Sequence, residues 1–116
     1  MAITVLFAGI ATGDYLSALP WYERLLGRPP DLIPHEEEAA WQVAGRGWIY
    51  LVADPGRAGR ALLTLIVHDL EDHLAQLAQR GLIGGEIETL VGVGRKSEIT
   101  DPEGNMITFA EVISTA

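Results

Sequence analysis

The sequence predicts an α+β protein built from a β-α-β-β-β unit used twice, and three observations carry that prediction. Two stretches, 15–26 and 70–80, have apolar residues at helical spacing. Each is opened by an aspartate (Asp14, Asp69) and closed by a glycine (Gly27, Gly81). Each follows one apolar run and precedes three shorter ones. The runs themselves are apolar on both faces, which asks for cover on both. At 116 residues the chain is expected to be one domain, 1–116, with modules at 3–53 and 61–112.

Taken in order, residues 3–10 read as a β-branched, apolar strand ended by the Thr12-Gly13-Asp14 turn. The first helix carries the stripe Tyr15, Leu19, Tyr22, Leu25 and Leu26 and stops before Pro29-Pro30. Pro20 admits two starts for it. If Asp14 is the cap, Pro20 removes one backbone bond and bends the helix; if Ser17 is the cap, Pro20 falls in the first turn and costs little. Short strands are expected near 31–35, 39–44 and 47–53, then a loop over Asp54–Gly59. The second module repeats the plan with a strand at 61–67, a helix striped by Leu70, Leu74 and Leu77, and strands near 85–90, 95–100 and 106–112. In 61–67, Leu62, Thr64 and Ile66 share one face, and Leu63, Leu65 and Val67 the other. One face takes a helix. The other needs a partner subunit or the opposite wall of a curved sheet around a cavity.

Composition narrows the function classes. Sixteen acidic against eight basic residues give a net charge of −8, which argues against nucleic acid, because phosphate binding needs a basic face. With no cysteine, the chain is neither a disulfide scaffold, a Cys-ligated zinc module nor a thiol enzyme. No apolar run approaches the ~20 residues of a membrane helix. The apolar start, Ile3 to Ala11, has no Lys or Arg ahead of it, so it reads as a buried strand rather than a signal segment, and a cytoplasmic location is expected. Ser17, Ser97 and Ser114 have no His or Asp companion at a recognisable spacing. His68 and Asp72, like Asp69 and His73, stand four apart; the simplest reading is a capped, solvated helix start, with acids favoured by the helix dipole. His35 with Glu36-Glu37-Glu38 reads as a solvated acidic turn.

Two motifs carry a family resemblance. Trp21-Tyr22-Glu23-Arg24-Leu25-Leu26-Gly27 resembles the aromatic-Tyr…Leu-Gly helix end of the vicinal oxygen chelate superfamily, which holds glyoxalase I, extradiol dioxygenases and bleomycin-resistance proteins. Asp101-Pro102-Glu103-Gly104-Asn105 resembles its turn before the last strand. The resemblance spans about residues 3–112 and implies a curved mixed sheet, a cup, with the helices outside it. It also implies a homodimer. The turn has its own physics: Asp101 accepts from backbone N–H groups ahead, Pro102 presets φ, and Gly104 and Asn105 tolerate positive φ.

Metal-dependent members of the superfamily place four ligands, usually His, Glu or Gln, on the inner face. Carried onto this sequence, those positions fall at Phe7, near Tyr50, at Leu62 and at Thr108. Such a set cannot replace the water of a divalent cation, so no metal and no cofactor is expected. The expected lining is apolar and aromatic: Phe7, Trp41, Trp48, Tyr50, Leu62, Thr64 and Thr108. The expected function is capture of a small aromatic or cationic molecule by a metal-free homodimer, with aromatic rings stacking and the two threonines orienting polar atoms. The alternative is a metal-dependent lyase, isomerase or dioxygenase with a substitute site, using Glu98 or the His68/His73 pair; a third reading is a metal-free enzyme with Tyr50 or Glu98 as acid or base.

Overall fold

The computed structural model of the chain describes residues 2–113. The first half gives β1 (Leu6–Thr12), α1 (Tyr15–Leu26), β2 (Leu32–His35), β3 (Glu38–Ala44) and β4 (Gly47–Ala53). A short 3₁₀ turn, Pro55–Arg57, lies in the expected loop. The second half gives β5 (Leu62–Ile66), α2 (Leu70–Gln79), β6 (Glu88–Leu90), β7 (Gly94–Thr100) and β8 (Met106–Val112). This is the expected α+β plan. It forms two four-stranded mixed sheets, ordered β1-β4-β3-β2 and β5-β8-β7-β6. In each, the first strand runs parallel to the last, and the other neighbours are antiparallel.

Local chemistry sets the helix ends. Asp14 accepts from the Ser17 backbone N–H at 3.2 Å and from its hydroxyl at 2.8 Å, which decides between the two possible starts: Asp14 is the cap, and Pro20 lies inside the helix. Gly27, at φ 79°, ends α1 by donating to Glu23 O at 2.9 Å. Asp69 caps α2 through the Asp72 N–H at 3.1 Å. At its other end the N–H groups of Gly81 and Leu82 donate to Ala78 O and Leu77 O, each at 3.0 Å.

Two strands differ from expectation, for reasons of pairing. β1 begins at Leu6 rather than residue 3, because its neighbour β4 begins at Gly47, the partner of Leu6. β6 is confined to Glu88–Leu90, since Gly84 and Gly85 run close against β7, with the Gly85 N–H donating to Glu98 O at 2.7 Å.

The core gathers the helix-side residues of both halves: Ile10, Tyr22, Leu25, Trp41, Ile49 and Leu51 from the first, and Leu70, Leu77, Ile107 and Phe109 from the second. The 101–105 turn joins them. Tyr22 Oη donates to Asp101 Oδ2 at 2.6 Å. The same carboxylate accepts the Glu103 and Asn105 N–H groups at 2.9 Å and Asn105 Nδ2 at 2.8 Å. Asn105 Oδ1 accepts from Ala61 N at 2.8 Å, and Glu103 accepts from the Thr12 hydroxyl and from Gly13 N. Gly104 alone in this turn has positive φ, 105°, and Asn105 serves through its side chain instead. Burial, and then the Asp101 carboxylate, push the Tyr22 phenol far above its ordinary pKa, so it stays a donor at any working pH. Replacing Tyr22 with Phe removes one donor from a buried carboxylate. It is expected to lower unfolding free energy by about 1–3 kcal/mol, read as a shift in urea midpoint at unchanged slope.

Candidate functional site

Strand register assigns every predicted site residue to a face. β1 and β4 pair Phe7 with Trp48 and Gly9 with Tyr50, so these four residues share the face of the first sheet that the helix leaves uncovered. The Phe7 and Trp48 rings stack with centroids 5.2 Å apart and planes 16° apart. Tyr50 completes the group, tilted at 55° and 6.5 Å from Phe7. These rings form an aromatic platform on open sheet, with Phe7 still 47% exposed.

The second sheet places Thr64 beside Thr108 and Leu62 beside Met106. Thr108 is in turn paired with Glu98 on β7, so Thr64, Thr108 and Glu98 make a polar row across the uncovered face. Lys96, on the same face of β7, stands 3.6 Å from Glu98 and 3.9 Å from Glu88. Leu62 is 84% exposed, whereas Leu63 and Leu65 pack on the core, so only one of the two apolar faces of β5 has cover. Among the described residues no strand of the first sheet pairs with a strand of the second. The aromatic platform and the threonine row therefore belong to two separate walls.

Trp41 is a correction. Its register partner is Ile49, not Trp48 or Tyr50, so it faces the helix. There it is fully buried, with Nε1 donating to Arg28 O at 3.0 Å. Helix-side residues also line a groove of about 470 Å³ between the halves, with Leu25, Leu63, Leu65 and Phe109 on its walls. Of the predicted site residues, Trp41, Trp48 and Thr64 border this groove; Phe7, Tyr50, Leu62 and Thr108 do not.

His73 is a second correction. Rather than lying in a solvated helix start, its ring packs 4.3 Å from that of Phe109, and Nε2 is buried without a partner. Burial, followed by the Arg80 charge, lowers its pKa. His35 sits at the surface as expected, with Nε2 3.2 Å from Glu38 Oε1. The serines are structural: Ser17 donates to Asp14, and Ser97 to Gly85 O at 2.7 Å. Ser114 lies outside the described residues.

Phe7, Leu62, Thr108 and Tyr50, at or near which the resemblance puts the four ligand positions, all lie on the uncovered faces. They supply neither carboxylate nor imidazole. Among the described residues no three His, Asp or Glu side chains converge. This donor set does not fit a divalent metal.

No family model and no curated protein matches the chain. Solved structures do. A glyoxalase/bleomycin resistance protein from Catenulispora acidiphila DSM 44928 is 44% identical, over 94% of this chain and 98% of that one, with a TM-score of 0.88. This chain belongs to the glyoxalase/bleomycin resistance protein family. TnmS3, an antibiotic binding protein from Streptomyces sp. CB03234, shares the fold at TM-score 0.77 and 22% identity, covering 97% of this chain and 99% of that one. A bleomycin-binding protein complexed with bleomycin shares it at TM-score 0.74 and 19% identity, covering 94% and 98%. Among the described residues no helix is long and apolar enough to cross a membrane.

His73 gives a pH prediction. Its folded pKa lies below the ordinary 6.5, so the unfolded chain takes up the proton first. Stability is full above that value and falls as pH drops through it towards the lower folded pKa. Asp31 and Glu111, also held below their ordinary values, act in the same direction but at lower pH. Urea midpoints are expected to fall between about pH 7 and pH 5.5 in the native chain and to change less over that interval in H73L.

Proposed function

We propose that this family member is a metal-free small-molecule binding protein that takes a planar aromatic or cationic ligand on the Phe7–Trp48–Tyr50 platform. One observation carries the reading: three aromatic rings, Phe7 exposed and Trp48 and Tyr50 half-buried, are gathered on the sheet face away from the helix. Large aromatic side chains left in water are costly unless something is meant to lie on them. The site's chemistry agrees. Stacked rings offer π faces, the acidic chain favours encounter with cations, and the absence of carboxylate or imidazole at the four ligand positions leaves binding rather than metal-assisted turnover. Proteins of the same fold that bind an antibiotic or bleomycin support the capture of a small molecule.

The second wall, with Leu62, Thr64 and Thr108, is brought to the platform by a second copy of the chain. The support is the exposed apolar edge on each sheet, β1 in one and β5 in the other, with Leu6 and Leu62 open to water. In the dimer the threonine hydroxyls orient polar atoms of a ligand stacked on the platform. A cytoplasmic location fits a chain without cysteine.

Titration with bleomycin and with 9-aminoacridine, a planar cation, should quench tryptophan emission. Y50A and F7A should each weaken binding by about tenfold. Unchanged emission and melting temperature with both compounds would overturn the reading. Nickel, zinc, manganese and iron(II) should leave the melting temperature unchanged, and a stoichiometric metal in the purified protein would point to the enzyme alternative. Sedimentation at micromolar concentration should give the mass of two chains; the mass of one would refute the dimer.

A further inference from the structure

We propose that Gly9 is a positioning residue, letting the tip of the Tyr50 ring rest close against β1 and so setting the free space above the aromatic group. The proposal rests on the binding reading above. Gly9 and Tyr50 are neighbours in the parallel β1–β4 register, and the tip of the tyrosine ring lies across the glycine. A β-carbon at position 9 would stand 2.5 Å from Tyr50 Cζ, 2.6 Å from its hydroxyl oxygen and 3.0 Å from Cε1. Non-bonded atoms do not approach this closely, so any other residue displaces the ring.

The usual reasons for a glycine do not apply here. Its φ is not positive, so the backbone could accept another residue. It sits in the middle of a paired strand, where glycine forfeits side-chain packing and carries extra unfolded-state entropy. It is exposed, so no core neighbour demands the space. What fills the missing side-chain volume is the Tyr50 ring itself.

The consequence is geometric. With glycine, the tip of the ring rests over the strand, its centroid 6.5 Å from that of Phe7 and its plane tilted by 55°, and a ligand can approach the sheet face past it. A methyl group at position 9 lifts the ring away from the strand. The raised ring enters the space a stacked ligand needs and no longer shares a surface with Phe7. Gly9 therefore selects ligands without touching them, acting through Tyr50, and the ligand class it favours is a broad, fused aromatic ring system.

The test is a double-mutant cycle read by 9-aminoacridine titration and by urea midpoint. G9A is expected to weaken 9-aminoacridine by about tenfold, whereas adding G9A to Y50A should change affinity by less than about twofold, because the ring it displaces is gone. If G9A also lowers the urea midpoint, the Y50A background should make that loss vanish. Binding by G9A within about twofold of the parent protein, or equal losses in both backgrounds, would overturn this inference while leaving the binding reading intact. Failure of the parent protein to bind 9-aminoacridine and bleomycin overturns the binding reading and this inference with it.

Discussion

The buried Asp101 carboxylate is the interaction on which the arrangement of the two halves depends. It gathers four donors, three from its own turn and one from Tyr22 of the first helix. Local turns usually satisfy themselves. This one is also the joint, because Asn105 and Glu103 reach Ala11, Thr12 and Gly13 in the first half. A carboxylate 5% exposed would be costly with any lone pair unmet. The turn and α1 must therefore take up a single relative position. Arg80 adds a second tie at the far end of the helices, donating to Arg24 O at 2.5 Å.

Once that joint is made, the division of labour between sheet faces follows. The helix-covered faces meet in one core, and Phe7, Trp48, Tyr50, Leu62 and Thr64 are left on the others. In a strand only the period of two separates a core residue from a site residue. Trp41 and Trp48 show how much this matters. Both are large aromatics on adjacent strands, yet one is a sealed core residue hydrogen-bonded to Arg28 O and the other is half of an exposed stack.

Much of the fold was legible before any coordinates. Asp-capped, glycine-stopped helices, the duplicated order and the Asp101 turn all rest on interactions within a few residues. The alternation along β1, β4, β5 and β8 was also legible, and it puts Phe7, Trp48, Tyr50, Leu62, Thr64 and Thr108 on the faces away from the helices. Trp41 was misplaced because its face depends on cross-strand register, and a one-residue difference inverts it. His73 was misread because acidic neighbours on its own helix suggested solvent, while the residue that buries it, Phe109, lies far along the chain on β8. The start of β1 was misjudged because strand length is set by the partner strand rather than by β-propensity.

Sequence alone thus determined the element order, the helix caps and the two motifs that carry the family resemblance, because each is a matter of residue type and short spacing. Tertiary structure decided what depends on distant partners. It split the strands into two sheets, turned Trp41 inward, packed His73 against Phe109, and laid Tyr50 over Gly9. The physical reason is common to all four: the direction a side chain takes from its own strand or helix is local, but what it meets is chosen by pairing and packing across the chain.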